Sequence, residues 1–363
     1  MTNFRSYESA EISLAPGFNV VVGPNGQGKT NLLESIAFAG SATSFRGASG
    51  EVLVRSGADR AVVRADVDQS GRDVLIEAEI APGGRSRIQI NKQRMTRSRD
   101  LLGQLPVTVF TPDDLVLIKG GPSERRRYLD DVLVLLRPVD EGVRSDAERT
   151  LRQRNALLKQ AARRITPDFE TTIEVWDARF ALAGEALARA RIGLLADLVP
   201  HVRQACCQLG GHPVDVALEY RCGWLDRGLA VALRECRGDD IKRGLTSVGP
   251  HRDDLRIILN GLPARTHSSQ GEQRTIALAL RLASHRLATE RLGLAPVLLL
   301  DDVLSELDST RGEALLGELP SRGCQTVITT TGSLPRDAHV DLMLEVSAST
   351  ITARPSNRSA QLL

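Results

Sequence analysis

The feature that most constrains the fold of this chain is a glycine-rich turn (P-loop) over residues 23–30, which reads Gly-Pro-Asn-Gly-Gln-Gly-Lys-Thr. The apolar run Phe18 to Val22 before the turn predicts a buried strand, and Asn31 to Ala39 after it predicts a helix. A turn of the pattern G-x-x-x-x-G-K-S/T in this setting directs several backbone N–H groups at one anion, and the helix adds the positive end of its dipole. The sequence therefore predicts a nucleotide-phosphate site in an α/β fold.

Two side chains of the P-loop have distinct expected roles. Lys29 is placed to reach the β and γ phosphates, and Thr30 offers its hydroxyl to Mg²⁺. The alternative is a glycine-rich turn that carries Lys and Thr by chance, and the flanking strand and helix argue against it. We expect ATP as the nucleotide, bound by Gly23, Pro24, Asn25, Gly26, Gln27, Gly28, Lys29, Thr30 and Asn31.

A second apolar run ends in two acids. Pro296 to Leu300 predicts a buried strand, and Asp301 and Asp302 follow it directly. An acid at the carboxyl end of such a strand is where a sheet of this kind holds Mg²⁺, so Asp301 is the expected metal-binding carboxylate. Asp302 is expected to orient or deprotonate the attacking water, so Lys29 and Asp302 are the predicted catalytic residues. The alternative is that the paired acids form a turn or a helix N-cap.

A serine and a glycine open a long helical pattern ahead of that strand. The stretch Ser268 to Glu272 precedes apolar positions that are spaced as on one helix face up to about Arg291. The hydroxyl of Ser269 and the backbone at Gly271 would form a second anion site, assisted by the helix dipole. The alternative is an ordinary serine N-cap in which Glu272 completes a capping box.

The order of these motifs resembles that of an ABC-type ATPase head. That resemblance implies that Ser269 and Gly271 of one subunit cap the γ phosphate bound by another. The chain departs from the class at two points. Asp302 stands where glutamate is usual, which predicts slow ATP hydrolysis, and Thr329 to Thr331 stand where a histidine is usual. We expect residues 1–120 and 246–363 to form the two halves of the head.

Residues 121–245 predict a helical arm inserted into the head. They are rich in Leu, Ala and Arg, and residues 143–165 are expected to pair with a second helix, each of about 25 residues. An apolar stripe on the second helix is expected to be core, and a partner-binding face is the alternative. The stripe consists of Ile173, Trp176, Phe180, Ala183, Leu187, Ala190 and Leu194. The predicted fold class is therefore α/β, an ABC-type head with a mixed or parallel sheet, flanking helices and an inserted arm.

Basic residues are unevenly distributed, although the formal net charge is only +2. Residues 85–99 and 149–164 are rich in Arg and Lys and contain no acid, so either run could contact nucleic-acid phosphates. The alternative is two ordinary solvated faces. With only 2 Trp, 3 Tyr and 7 Phe, the chain has few aromatics to stack single-stranded bases, a shortage that matters less for binding duplex DNA. The candidate DNA contacts are Arg94, Arg97, Arg152 and Lys159.

Hydropathy and cysteine usage indicate the cellular location. No apolar run approaches the roughly 18 residues that span a bilayer, and the N-terminus lacks a signal-peptide pattern. The chain has 5 cysteines and no C-x-x-C pair, which fits neither a disulfide framework nor a zinc site. We expect a cytoplasmic protein with reduced thiols and no membrane partner.

Several motifs together resemble the RecF family of bacterial recombination mediators. They cover both halves of the head, and Asp302 and the absent histidine fit this family. One departure is that Met1 lies just before Asn3, where the family has several more residues of first strand, so the completeness of the edge near the adenine stays open. The matching segments are Asn3 to Tyr7, Gln27 and Asn31 of the P-loop, Ser44 to Arg46, Phe110 to Leu115, Lys119 to Pro122, Arg125 to Arg127, Gly249 to Asp254, Ser269 to Arg274 and Leu300 to Asp308.

The resemblance implies a function that composition and spacing do not show. It implies ATP-dependent binding to double-stranded DNA near single-strand/double-strand junctions, with RecR and RecO as partners and RecA loading at gaps as the outcome. It also implies a weak, DNA-stimulated ATPase. The residues add a consistent mechanism, in which ATP between two heads closes a homodimer on one duplex and hydrolysis at Asp302 reopens it.

Two functions of other classes remain open from the sequence. A P-loop kinase acting on a small substrate needs no second subunit, and the Ser269 helix and the long insert count against it. A transporter-type ATPase subunit would couple to a membrane partner, and the arm and residues 250–254 have no role there. Dimerisation with ATP separates the head-dimer mechanism from the kinase.

Overall fold

The computed structural model describes residues 1–69, 71–84, 86–95, 100–319, 324–332 and 339–354, and its elements are numbered in chain order. The first are β1 (Thr2–Phe4), β2 (Tyr7–Ser9), β3 (Phe18–Val22), α1 (Lys29–Ser41), α2 (Gly50–Leu53), β4 (Ala61–Gln69), β5 (Arg72–Ile80), β6 (Arg87–Ile90), β7 (Gln93–Arg94) and β8 (Val107–Phe110). Then follow α3 (Val116–Lys119), α4 (Pro122–Leu136), α5 (Asp140–Ala161), α6 (Phe169–Gly210), β9 (Val216–Arg221), α7 (Leu229–Arg243), β10 (Asp254–Leu259), β11 (Leu262–Pro263), α8 (Ala264–His267) and α9 (Gln270–Leu292). The last are β12 (Val297–Asp301), α10 (Ser309–Glu318), β13 (Thr326–Thr330), β14 (Leu342–Ser347) and β15 (Thr350–Arg354).

By its internal packing the chain divides into two units. Unit 1 comprises Met1–Asp114, Gln208–Gly211 and Leu280–Leu363, and unit 2 comprises Leu115–Cys207 and His212–Ala279. The three-segment division predicted from the sequence stays a prediction. All five cysteines are free thiols. In the ranges described above, no helix combines the length and apolarity needed to cross a bilayer.

The central sheet of unit 1 carries the predicted nucleotide motifs. Its described strands follow the order β15-β14-β3-β13-β12-β8, in which β15 is antiparallel to β14 and the other neighbours are parallel. β3, β12 and β13 are almost wholly buried, which explains their continuous apolar runs. β3 lies at its predicted residues and β12 within one residue of them. Because β3, β13 and β12 are parallel neighbours, their carboxyl ends meet at one edge of the sheet.

The second sheet of unit 1 is antiparallel, with the described strands in the order β2-β1-β4-β5-β6-β7. Buried and accessible residues alternate along β5, so one face of this sheet packs on a core. Phe4 of β1 and Phe38 of α1 belong to that core together with Val63 of β4 and Ile76 of β5. The core therefore packs the start of the chain against α1, the helix that begins at the P-loop.

The predicted helical arm contains α5 and α6, which lie in unit 2 except for the end of α6 from Gln208 onward. Leu158 and Ala161 near the end of α5 pack with Phe169 and Ile173 at the start of α6. The predicted pair of helices and the turn between them are thus present. The members of the predicted apolar stripe that are buried as core are Ile173, Phe180, Leu187 and Leu194.

α6 is longer than the sequence analysis predicted. It spans 42 residues, whereas the prediction was about 25. Buried apolar side chains continue beyond the predicted stripe at Leu198, Val202 and Ala205. Pro200 lies inside this extension, and the helix continues through it although proline usually ends or bends a helix.

A fully buried arginine joins three parts of unit 2. Arg154 of α5 is 0% exposed. Its Nε donates to Asp177 of α6 at 2.6 Å, and its Nη1 donates to Asp240 of α7 and to the Thr246 hydroxyl, both at 2.8 Å. Arg154 was one of the basic residues that the sequence offered for phosphate contact, and that expectation is wrong for this residue, because acids from other helices enclose it.

We expect Arg154→Leu to destabilise unit 2, because the buried carboxylate of Asp240 loses its cation and Asp177 keeps only Arg237. Leaving a buried charge without its partner costs about 3–5 kcal/mol. Arg152→Leu, in the same helix, breaks only an exposed pair with Glu148 and should leave the unfolding midpoint unchanged. Urea unfolding followed by circular dichroism measures both variants, and equal midpoints would contradict the role of Arg154.

Candidate nucleotide-binding site

The P-loop joins β3 to α1 as predicted. Gly28 has φ of 111°, a left-handed conformation that favours glycine, and α1 begins directly after it at Lys29. Gly23 is required for another reason: a Cβ there would lie 2.3 Å from the carbonyl oxygen of Val346 in β14. The glycines of the motif therefore serve both the turn and its packing against the sheet.

Lys29 lies inside the loop that it follows. Its side chain is only 6% exposed, and its ammonium donates to the carbonyl oxygens of Gly23 at 2.7 Å and Pro24 at 2.9 Å. Burial lowers the pKa of Lys29, and the nearby carboxylates of Asp302 and Asp301 oppose that effect. The cation and both predicted acids thus share one small region at the end of the sheet.

Asp301 accepts two hydroxyl hydrogen bonds at the carboxyl end of β12. Thr30 of α1 donates to its Oδ1 at 2.9 Å, and Thr329 of β13 donates to the same oxygen at 2.8 Å. Burial raises the pKa of the Asp301 carboxyl, and these hydrogen bonds oppose the rise because they favour the charged form. The two residues predicted to hold Mg²⁺, Thr30 and Asp301, are therefore in direct contact.

Asp302 is held next to this pair in an unusual backbone conformation. Its φ is 49°, in the left-handed region, and its N–H donates to the Thr329 hydroxyl at 2.9 Å. Its Oδ1 is buried and has no hydrogen-bond partner among the described residues. A buried oxygen without a donor is costly, so this carboxylate is arranged to receive a hydrogen bond from a bound group or water.

Thr329 bridges the two acids, a contact that the sequence did not indicate. From the sequence, a hydroxyl at this position was expected only to contact phosphate or water. The structure shows that the Thr329 hydroxyl donates to Asp301 and accepts from the Asp302 backbone. The register explains the contact, since Asp301 and Thr329 are paired neighbours on β12 and β13, and that pairing was not available from the sequence.

Residues near the N-terminus also support the P-loop. The Tyr7 hydroxyl donates to the carbonyl oxygen of Gly28 at 3.1 Å, and Asn31 donates to the Ser6 hydroxyl at 3.0 Å. Burial raises the pKa of Tyr7 to about 12, so this hydroxyl stays a donor. Ser6 and Tyr7 were part of the family resemblance, but the sequence did not indicate that they touch the loop.

The turn between β14 and β15 contacts the P-loop from the other side. Ala348 and Ser349 both have positive φ, as a tight hairpin turn requires. The Ala348 N–H donates to Gln27 Oε1 at 2.6 Å, and the Ser349 N–H donates to the Gln27 carbonyl oxygen at 3.2 Å. Gln27 is thus fixed by the hairpin through both its side chain and its backbone.

Ser269 and Gly271 lie in unit 2, at the start of α9. The Ser269 N–H donates to Glu272 Oε2 at 2.7 Å, and the Glu272 N–H donates to the Ser269 hydroxyl oxygen at 3.3 Å. This is the capping box that the sequence analysis kept as the alternative. The role of these residues at a phosphate of another subunit stays a prediction.

The four candidate DNA contacts have different surroundings. Arg94 of β7 is exposed, and Arg97 lies outside the described residues. Arg152 is exposed and pairs with Glu148 at 3.6 Å. Lys159 is exposed near the end of α5. Arg94 belongs to unit 1, and the two candidates on α5 belong to unit 2.

Comparisons with known proteins agree with this arrangement. The family model described as the RecF/RecN/SMC N terminal domain matches residues 1–348. The DNA replication and repair protein RecF of Streptomyces avermitilis is 46% identical over 345 residues, which cover 91% of each chain. That of Acidothermus cellulolyticus is 44% identical over 329 residues, covering 87% of this chain and 88% of the relative.

Solved structures show the same fold. The recombination mediator protein RecF solved with ATP has a TM-score of 0.89 and 30% identity, covering 98% of this chain and 96% of that one. The Smc head domain of Pyrococcus furiosus has a TM-score of 0.57 and 18% identity, covering 99% and 96%, and it shows the fold alone. The predicted ABC-type head with its inserted arm is confirmed.

We expect Thr329→Val to weaken Mg²⁺-dependent binding of a fluorescent ATP analogue about tenfold, because Asp301 loses a donor and the Asp302 N–H loses its acceptor. A lost buried hydrogen bond of this kind is worth about 1–3 kcal/mol. Thr329→Ser keeps the hydroxyl and should bind as the wild type does. Thr330→Val is the matched control, since the Thr330 hydroxyl accepts only from Gly332 in the described chain. Equal Mg²⁺ titrations for the Val and Ser variants at position 329 would refute the bridge.

Proposed function

The chain belongs to the RecF family, and on that premise we propose that it is an ATP-dependent DNA-binding protein of recombinational repair. The observation that carries the proposal is the assembled group of Lys29, Thr30, Asp301 and Asp302 at the carboxyl edge of the central sheet. A chance P-loop would not bring its own threonine, Thr30, and the distant Thr329 within hydrogen-bond distance of the same oxygen of Asp301. The relatives named above, and the solved RecF structure with ATP, support the same conclusion.

The residues fit the triphosphate of ATP with Mg²⁺. Thr30 and Asp301 would hold the metal, which when bound neutralises charge on the β and γ phosphates. Within the described residues no cluster of three or more His, Cys, Asp or Glu could form a metal site by itself. That is consistent with Mg²⁺, which usually keeps few protein ligands and takes the rest from phosphates and water.

Hydrolysis would depend on Asp302 and Lys29. Asp302 Oδ1 is buried without a donor, so a water placed there would give its proton to the carboxylate or be oriented by it. Lys29 would exchange the carbonyl oxygens of Gly23 and Pro24 for phosphate oxygens. Because aspartate is one methylene shorter than the usual glutamate, we infer slow turnover and a site that acts as a switch.

A second copy of the chain would complete the site. Ser269 uses its oxygen to cap α9, and no described residue accepts its hydroxyl proton, so capping and donation to a phosphate are compatible. The start of α9 adds the positive end of a helix dipole. ATP bound by one copy and contacted by Ser269 and Gly271 of another would close a homodimer.

The DNA role rests on the family and on the basic runs. We propose that the closed dimer binds double-stranded DNA near gaps, where it would act with RecR and RecO in loading RecA, as a weak ATPase stimulated by DNA in the cytoplasm. The solved relatives are described as recombination mediators of the RecFOR pathway. A kinase or transporter-type subunit has no observation in its favour, since the fold matches RecF over nearly the whole chain.

We expect the wild-type chain to double its molar mass in light scattering when ATP and Mg²⁺ are added. Ser269→Arg should still bind ATP but stay monomeric, because a bulky cation at the start of α9 blocks contact with the other copy. If Ser269→Arg also loses ATP binding, the serine acts within its own chain. A wild-type chain that remains monomeric with ATP removes the head-dimer mechanism.

We expect Asp302→Asn to bind ATP and dimerise but to hydrolyse at least tenfold more slowly, because the amide cannot take a proton from water. Lys29→Arg should lose hydrolysis and weaken ATP-driven dimerisation, since the longer guanidinium does not fit among the carbonyl oxygens of the loop. Phosphate release and light scattering measure both variants. Normal turnover in Asp302→Asn would show that another group acts on the water.

A further inference from the structure

Three segments of unit 2 meet at one end of the arm. α5 ends at Ala161, residues 162–168 lead into α6, and α7 ends at Arg243. The segments are in contact, because a Cβ at Gly244 would lie 3.6 Å from Lys159 Cα and 3.8 Å from Ala162 Cβ. Ile241 of α7 also packs against the cluster beneath this turn. We call residues 159–168 and 242–244 the arm tip.

The arm tip carries exposed cations that no acid neutralises. Lys159, Arg163, Arg164 and Arg243 are all exposed, and no carboxylate of the described residues lies within 4.0 Å of them. Lys242 is also exposed and pairs with Asp239 at 3.4 Å. Most of these charges therefore face solvent without compensation.

The first half of the same basic run is different. Arg149 pairs with Asp146 at 2.9 Å, Arg152 pairs with Glu148 at 3.6 Å, and Arg154 is buried between acids. The run is continuous in sequence, yet among the residues that the structure describes the acidic partners lie only beside this half. The unneutralised charge is concentrated in the second half, at the arm tip.

Some of the cations at the arm tip have a structural explanation, because they lie at the carboxyl ends of helices. Lys159 lies in the last turn of α5, and Lys242 and Arg243 lie in the last turn of α7, where cations stabilise the negative end of the helix dipole. Arg163 and Arg164 lie beyond the end of α5, so the dipole does not require them. Their presence beside the other three points to an anionic partner.

We propose that the arm tip binds the phosphate backbone of duplex DNA, an inference that rests on the proposed function and names where the DNA is contacted. Several exposed arginines and lysines without acids are the surface that neutralises phosphates. The tip has no exposed aromatic side chain for stacking single-stranded bases. Ile165, 60% exposed, is its one large exposed apolar residue, too little for the core of a protein interface.

A matched pair of double variants tests the arm tip. Arg163→Gln/Arg164→Gln removes two unpaired cations, and Arg149→Gln/Arg152→Gln removes two ion-paired cations from the same segment. Fluorescence anisotropy with ATP and a labelled blunt duplex gives the affinity as a function of salt. Light scattering with ATP checks that both variants fold and dimerise.

We expect Arg163→Gln/Arg164→Gln, the tip variant, to bind the duplex at least tenfold more weakly than the wild type at low salt. The slope of log affinity against log salt should become shallower by about 2, because each phosphate contact contributes about 0.9 to that slope. The control variant should keep the wild-type slope. Arg163→Lys/Arg164→Lys retains the charges and should also keep it.

The outcomes separate this inference from the proposed function. If the wild type binds duplex with ATP but both double variants lose affinity equally, or the tip variant keeps the full slope, the arm tip is not the contact. Unchanged duplex binding with lost binding to labelled polyglutamate would overturn the inference in favour of an acidic protein surface. A wild type that dimerises with ATP but binds no duplex would overturn the DNA role as a whole.

Discussion

The candidate site depends on the hydrogen bonds that converge on one oxygen of Asp301. Thr30, 271 residues away in sequence, and Thr329, 28 residues away, both donate to Oδ1. These contacts join the start of α1 to the ends of β12 and β13, where three parallel strands finish side by side. Burial disfavours the charged form of the Asp301 carboxyl, and the hydrogen bonds from the two hydroxyls favour it. The charge of Asp301 therefore depends on the strand and helix that place these hydroxyls.

The charges of the candidate site bear on what a bound triphosphate would require. Lys29 and the exposed Arg46 are the cations that act on Asp301 and Asp302, and two cations beside two carboxylates leave no net charge to offset that of a triphosphate. The backbone N–H groups of the P-loop and the α1 dipole contribute partial charges only. A metal ion at Thr30 and Asp301, and the start of α9 from a second copy, would supply the rest. In the proposed dimer, closure would therefore depend on nucleotide, because each copy alone would lack part of the compensation.

Local motifs were predictable from the sequence, and long-range contacts were not. The strand, loop and helix around Lys29 follow from residues that are neighbours in the chain, and β3 lies where the apolar run predicted it. Thr329 as a bridge depends on the register of β12 and β13, and the contact of Gln27 with Ala348 joins residues 321 apart. α6 was predicted too short because its buried face continues through Pro200.

The basic run of α5 shows why a charge pattern does not identify a binding surface by itself. Residues 149–164 contain no acid, so each of their cations is equally available when the sequence is considered alone. In the fold, Asp177 and Asp240 come from 23 and 86 residues away to enclose Arg154, whereas no carboxylate in the described part of the chain pairs with Arg163 or Arg164. Arg154 needs acidic partners because burying an unpaired charge is costly. Arg163 and Arg164 are exposed and need none. The role proposed for them therefore lies outside the chain, at the phosphates of DNA.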